Sequence, residues 1–190
     1  MFAELLAALA KELNRANLHY MVIGGQAVLV HGEPRLTNDI DITVAAGLEK
    51  LESVRRVAIS AGLEPLVDPE EFTTRTMVLP CLHRKSGIRV DFIFSFSPYE
   101  RDAIERAVEI EISDSTVRFA TAEDLIVHKV LAGRARDLED VRSILLKNPG
   151  VDRSLIVEAL ESFQESLGQG TTLTDRLDDI YRSLDTINGI

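Results

Sequence analysis

Asp39 and Asp41 lie two residues apart inside Asp39-Ile40-Asp41-Ile42, a short run that alternates acidic and apolar residues. Aspartate is disfavoured within strands, and the alternation nevertheless reads as a strand over Asp39–Val44. Side chains two apart on a strand share a face and stand roughly 6–7 Å from one another. Two carboxylates so placed repel unless one takes a proton or a cation intervenes. A divalent cation resolves the conflict, and the spacing suits a pair of ions about 3.5–4 Å apart of the kind that serves phosphoryl transfer. Asp91 repeats the anomaly within Ile88–Phe94, where Ile88, Val90, Phe92 and Phe94 would line one face and Arg89, Asp91 and Ile93 the other. If the two strands are neighbours, the three carboxylates converge.

Gly24-Gly25 supplies a complementary element. The pair sits between the apolar run Tyr20–Ile23 and a short helical segment, Gln26–His31. Glycines there let the backbone approach a ligand closely, and the amides at a helix start favour phosphate. Carboxylates for metal and a glycine-led helix for phosphate together describe a metal–nucleotide site. Plainer readings stand beside these. Asp39 could end a turn after Thr37-Asn38, Asp91 could pair with Arg89, and the glycines could form a simple tight turn.

The elements that must position these residues are legible from periodicity. Helices are expected over 2–16, 48–61 and 99–108. Strands are expected at Tyr20–Ile23, Asp39–Val44, Glu109–Ser113 and Thr116–Ala120, and in a hairpin formed by Thr76–Leu82 and Ile88–Phe94. From Thr121 the pattern is helical throughout, with helices at 122–132, 136–147, 152–167 and 173–187 separated by Gly133, Pro149-Gly150 and Gly168-Gln169-Gly170. Thr121 and Asp124 resemble a capping box. The expected organisation is an α/β core over residues 1–120, a mixed sheet with flanking helices, and a helical C-terminal region over 121–190 packed on it. The stripe Leu173, Leu177, Ile180, Leu184 and Ile187 fits packing on the body better than a partner seam.

Composition narrows the function. The 190 residues are 45% hydrophobic and 27% charged, as in a globular chain. The net charge of −10 argues against general nucleic-acid binding, although a local basic patch could dock one RNA segment. Cys81, the one cysteine, fits a reducing cytoplasm. No apolar run is long enough for a membrane span, and the apolar N-terminus reads as a helix of the fold, not a leader. His19, His31, His83 and His128 show no metal-ligand spacing.

The order of Gly24, Gly25, Asp39, Asp41 and Asp91 resembles the nucleotidyltransferase superfamily pattern: a hydrophobic-Gly-Gly/Ser element, then Asp-hydrophobic-Asp/Glu-hydrophobic, then a third carboxylate. The stretch Asp124–Asp140, with Lys129 in a helix followed by Arg134, Arg136, Asp137 and Asp140, is similar to the AbiEii-like branch, which includes toxin components of toxin–antitoxin pairs. The resemblance covers roughly residues 20–142. It implies a nucleotidyltransferase-like mixed sheet and transfer of a nucleoside monophosphate from an NTP to an acceptor hydroxyl, with release of pyrophosphate. It also implies Mg²⁺ or Mn²⁺ held by Asp39, Asp41 and Asp91, and phosphate bound at Gly24 and Gly25. The acceptor would be an RNA end, as of transfer RNA, met near Arg84, Lys85, Arg134 and Arg136, and an antitoxin protein would be a partner. Gly25 stands where many members carry serine, so one hydroxyl contact to phosphate is lost.

Lys129, about two turns into its helix, is expected to set an ammonium beside the triphosphate, with a solvated surface lysine as the alternative. Arg134, Arg136, Asp137 and Asp140 could form surface ion pairs at a helix junction, the reading preferred for Arg134 and Asp137. Two other functions share these motifs: a non-catalytic nucleotide- or metal-binding module, and a metal-dependent phosphohydrolase using water.

Overall fold

The computed structural model describes residues 1–95, 97–167 and 172–188, and the side chains of these up to residue 186. The Gly168–Gly170 separator and the Ile187 side chain therefore lie outside the described residues. In chain order the elements are α1 (Phe2–Arg15), β1 (Tyr20–Ile23), α2 (Gly24–His31), β2 (Asp39–Val44), α3 (Leu51–Ser60), β3 (Leu63–Pro65), α4 (Pro69–Thr76), β4 (Val78–His83), β5 (Ile88–Phe94), α5 (Pro98–Arg106), β6 (Val108–Ile112), β7 (Ser115–Phe119), α6 (Ala122–Ala132), α7 (Ala135–Lys147), α8 (Arg153–Leu167) and α9 (Leu173–Asn188).

The strands form one seven-stranded mixed sheet in the order β3-β4-β5-β2-β1-β7-β6. β2 runs parallel to β5 and antiparallel to β1, and β1 runs parallel to β7. Alternation decides which residues enter the core. Ile40, Ile42, Val90, Phe92 and Phe94 are fully buried, whereas Asp39, Asp41 and Asp91 on the opposite face are half-buried. α1 buries Leu5, Leu6, Leu9 and Leu13 and lies against β7 and α3, and α3 lies against β3. This is the α/β class expected, a mixed sheet with flanking helices followed in sequence by helices.

Contacts divide the chain into two compact units, Met1–Ala27 with Leu36–Thr121, and Val28–Arg35 with Ala122–Ile190. The division falls within α2, so residues 28–35 count with the helices. In the helical unit the segment is tied to α7: Lys147 Nζ donates to the Gly32 carbonyl at 3.0 Å and Asn148 Nδ2 to the His31 carbonyl at 2.7 Å. α9 buries Leu173, Leu177, Ile180 and Leu184.

Sequence periodicity left 63–75 unassigned and took Thr76 as the start of a strand. Instead β3 pairs with β4, and α4 runs through Thr76. The signal for α4 is Asp68-Pro69: the Asp68 carboxylate accepts from the Glu71 amide at 2.8 Å, and proline occupies the first turn. Met77 then ends the helix in the left-handed region at φ 58°. A full capping box joins Ser97 and Glu100 at the start of α5.

Candidate active site

The β2–β5 register sets Asp41 directly beside Asp91 and Asp39 beside Arg89. Parallel strands lie about 4.7–4.9 Å apart, and in-register residues share a face, so the strand pairing brings the three aspartates to one face of the sheet. On the far sides Ile23 of β1 pairs with Asp41, and Pro80 of β4 pairs with Asp91.

Each carboxylate has a neighbour from its own surroundings. Thr37 Oγ1 donates to Asp39 Oδ1 at 2.9 Å. Arg89 Nε donates to Asp91 Oδ1 at 2.8 Å, which is the pairing weighed as the plain reading of Asp91. Asp41 Oδ2 lies over the backbone of Gly24, where an added Cβ would overlap it. Gly24 also has φ 64°, a left-handed conformation suited to glycine. In this arrangement, among the described residues, no three His, Cys, Asp or Glu side chains are gathered closely enough to hold a metal ion.

The donor set still suits a hard divalent cation, because it consists of carboxylate oxygens on adjacent strand positions. Positive charge is already drawn to it. The hydrogen bond to Asp91, followed by the charges of Asp91, Asp39 and Asp41, holds Arg89 above its ordinary pKa. Asp91 also acts through the sheet on Cys81, whose thiol is pushed up to about 12, first by burial and then by that charge.

α2 starts at Gly24, two residues earlier than periodicity indicated, so both glycines belong to its first turn. A Cβ on Gly25 would overlap Thr37 Oγ1. The space a side chain at 25 would use is thus filled by the Thr37 hydroxyl.

The family model described as nucleotidyltransferase of unknown function (DUF6036) matches residues 2–164. The chain belongs to that nucleotidyltransferase family. No curated protein matches it. Among solved structures it is similar to the antibiotic-resistance factor ANT(2'')-Ia in complex with adenylyl-2''-tobramycin, at 14% identity over 85% of this chain and 98% of that one, with a TM-score of 0.58. It is also similar to an antigenic nucleotidyltransferase-like protein from Paracoccidioides brasiliensis, at 16% identity over 86% and 87% of the two chains, with a TM-score of 0.56. A putative nucleotidyltransferase from H. pylori aligns at 18% identity over 84% of this chain and 73% of that one, with a TM-score of 0.51. At these identities the likeness is one of fold.

The helical unit of this nucleotidyltransferase-family chain holds Lys129. Its ammonium donates to Asp137 Oδ1 at 2.8 Å and lies 2.9 Å from Asp140 Oδ2. Arg134 Nε joins Asp137 Oδ2 at 2.6 Å, and Arg35 grips Asp140 through Nε at 2.7 Å and Nη2 at 2.8 Å. Lys129, Asp137 and Asp140 are 7%, 4% and 4% exposed. The expectation of surface ion pairs is therefore corrected for Asp137 and Asp140, and Lys129 is no solvated lysine. α6 and α7 pack against each other, which takes Lys129, Asp137 and Asp140 out of water, while Arg134 stays largely exposed. Burial opposes ionisation of Asp137, but hydrogen bonds from Lys129 and Arg134 outweigh it and hold its carboxyl below the ordinary value.

Of the basic residues, Arg84 Nε is paired with Glu64 at 2.6 Å and Arg134 with Asp137. His83 Nδ1 meets Ser86 Oγ at 2.6 Å, and His19 Nδ1 meets Glu105 at 2.9 Å. Thr37 and Arg35 were not singled out from sequence, and Arg89 was named only as a plain ion-pair partner of Asp91. For Arg89 a signal existed, since it stands two residues before Asp91 on the same strand and so on the same face.

Proposed function

We propose that this chain is a metal-dependent nucleotidyltransferase that moves a nucleoside monophosphate from an NTP to an acceptor hydroxyl. The observation that carries the reading is the register of Asp41 beside Asp91, with Asp39 on the same face and the glycine-led start of α2 against Asp41. Asp39, Asp41 and Asp91 would hold Mg²⁺ or Mn²⁺. When bound, such an ion neutralises charge on the phosphoryl oxygens and orients the triphosphate. The backbone of Gly24 and Gly25 admits phosphate closely, and the first-turn amides of α2 can donate to it. The Thr37 hydroxyl stands beside Gly25, where the missing serine would have offered its own. An Asp91 carboxylate oxygen takes the proton of the attacking hydroxyl as its oxygen bonds to the α-phosphorus and pyrophosphate departs with the electrons of the broken bond. A phosphate contact from Lys129 would require its ammonium to leave two buried carboxylates.

The likeness to the AbiEii-like branch supports an RNA end, such as that of transfer RNA, as acceptor, with an antitoxin protein as partner. Cys81 as the one cysteine supports the cytoplasm, and among the described residues no helix is long and apolar enough to cross a membrane. A second acceptor class is favoured by the net charge of −10, which attracts a cationic small molecule and repels RNA. The neighbour solved with adenylyl-2''-tobramycin supports that class by its fold alone.

The test is incubation with each α-labelled NTP and Mg²⁺ or Mn²⁺, with transfer RNA, with a polyamino sugar, or with neither. Covalent label on an acceptor, lost in Asp39→Asn, is the expected result, and the labelled acceptor decides between the classes. Release of phosphate alone would make the chain a phosphohydrolase. Nucleotide binding without turnover would make it a binding module.

A further inference from the structure

Arg89 precedes Asp91 by two residues on β5 and is the register partner of Asp39 across β2. Both relations put its side chain on the carboxylate face. The Arg89 side chain is 54% exposed while Asp91 is 17% exposed, so the guanidinium can swing away without opening the core. Its hold on the face is electrostatic: one hydrogen bond to Asp91 Oδ1 and the field of three aspartates. That hydrogen bond aims Asp91 Oδ1 at Arg89, in an arrangement where no three acidic groups close on a common point among the described residues.

We propose that Arg89 is the resident counter-cation of the carboxylate face, which holds Asp91 in the metal-free protein and must release Asp91 Oδ1 before a divalent cation can use it. The inference rests on the proposed function, because it presupposes that these aspartates bind metal. A divalent ion carries twice the charge of a guanidinium in a smaller volume, so it displaces Arg89 once its own dehydration is offset. Arg89 is then a positioning residue with two opposed effects: it stabilises the metal-free fold by screening the aspartates, and it weakens metal binding by competing for Asp91. The two effects are separable without turnover. Lysine at 89 keeps the charge but lacks the Nε–H that meets Oδ1 and the planar fork, so it competes less well.

The experiment measures binding of Mn²⁺ alone, without nucleotide, to the whole chain as wild type, Arg89→Gln and Arg89→Lys, using the electron paramagnetic resonance signal of free Mn²⁺. Thermal unfolding with and without Mn²⁺ accompanies it. Arg89→Gln is expected to bind Mn²⁺ ~5- to 10-fold more tightly than wild type, the effect of removing one partly screened charge. It is also expected to melt lower without metal and to gain more from Mn²⁺, with Arg89→Lys in between. If Arg89→Gln does not fold, Arg89→Lys carries the test and must bind Mn²⁺ more tightly than wild type. Equal or weaker affinity in the folded variants would overturn the inference and leave the metal-dependent reading standing. Absence of Mn²⁺ binding in every protein, wild type included, would overturn that reading and the inference with it.

Discussion

Two groups of acids in this chain sit in opposite electrostatic settings. In the helical unit, Asp137 and Asp140 are almost wholly buried and each meets two cations: Lys129 and Arg134 for the first, Lys129 and Arg35 for the second. On the sheet, Asp39 accepts from a hydroxyl and Asp91 from a half-exposed arginine, while Asp41 leans over a glycine backbone. Buried acids must be matched or they would be protonated. The sheet acids keep access to water, and their field can be answered by a mobile cation. The first arrangement builds a helix junction. The second leaves three carboxylates half-buried on one face of the sheet. Acidic residue type alone does not separate the two cases, but burial and the identity of the partner do.

The sharpest way to break this comparison is to neutralise one acid from each group. Asp39→Asn or Asp41→Asn is expected to lower transfer of labelled nucleotide by about 10³-fold or more. The melting temperature should stay level or rise, since repulsion on the sheet is relieved. Full activity in either variant would remove the sheet acids from the chemistry. In the helical unit, Lys129→Met should lower the free energy of unfolding in urea by about 3 kcal/mol, because Asp137 and Asp140 each lose a buried partner. Its nucleotide affinity, measured on the folded protein, should change far less. Unchanged stability with lost nucleotide affinity would return Lys129 to the phosphate.

The pH dependence sharpens the contrast further. The Asp137 carboxyl is held below its ordinary value in the fold, so the unfolded chain binds its proton first on acidification. Its contribution to stability is complete above the ordinary carboxylate range near pH ~4, and it is lost as pH falls through the lowered folded value. Urea midpoints of wild type and Asp137→Asn measured from pH 7 downward should converge on the acid side. Parallel curves would show that Asp137 is not the group responsible. The smallest effect concerns Gly25. Gly25→Ser should cost about 1 kcal/mol, since its Cβ overlaps both the hydroxyl and the Cβ of Thr37, and Gly25→Ser with Thr37→Gly, which removes both atoms, should recover part of the lost melting temperature. A single variant as stable as wild type would mean that Thr37 gives way freely.

Local pattern made much of this chain legible. The alternation of Ile40 and Ile42 with Asp39 and Asp41, and of Val90 and Phe92 with Asp91, already assigned core faces and acid faces, because side-chain direction in a strand has a period of two. The helices from α6 to α9 followed from apolar spacing and breakers to within a residue or two at most ends. The short β3 and α4 escaped because three and eight residues carry too little periodicity, although Asp68-Pro69 marks the start of α4.

Periodicity could not choose strand neighbours. That β2 lies beside β5, in the register that sets Asp41 against Asp91 and Asp39 against Arg89, was decided by tertiary structure. The same holds for the grip of Arg35 on Asp140 across a separation of 105 residues, which turned expected surface charges into a buried network. Local sequence fixes the face on which a side chain lies. Its partner is set by which distant segments bury their apolar faces together, and one-residue slips are excluded because they would turn those apolar residues outward.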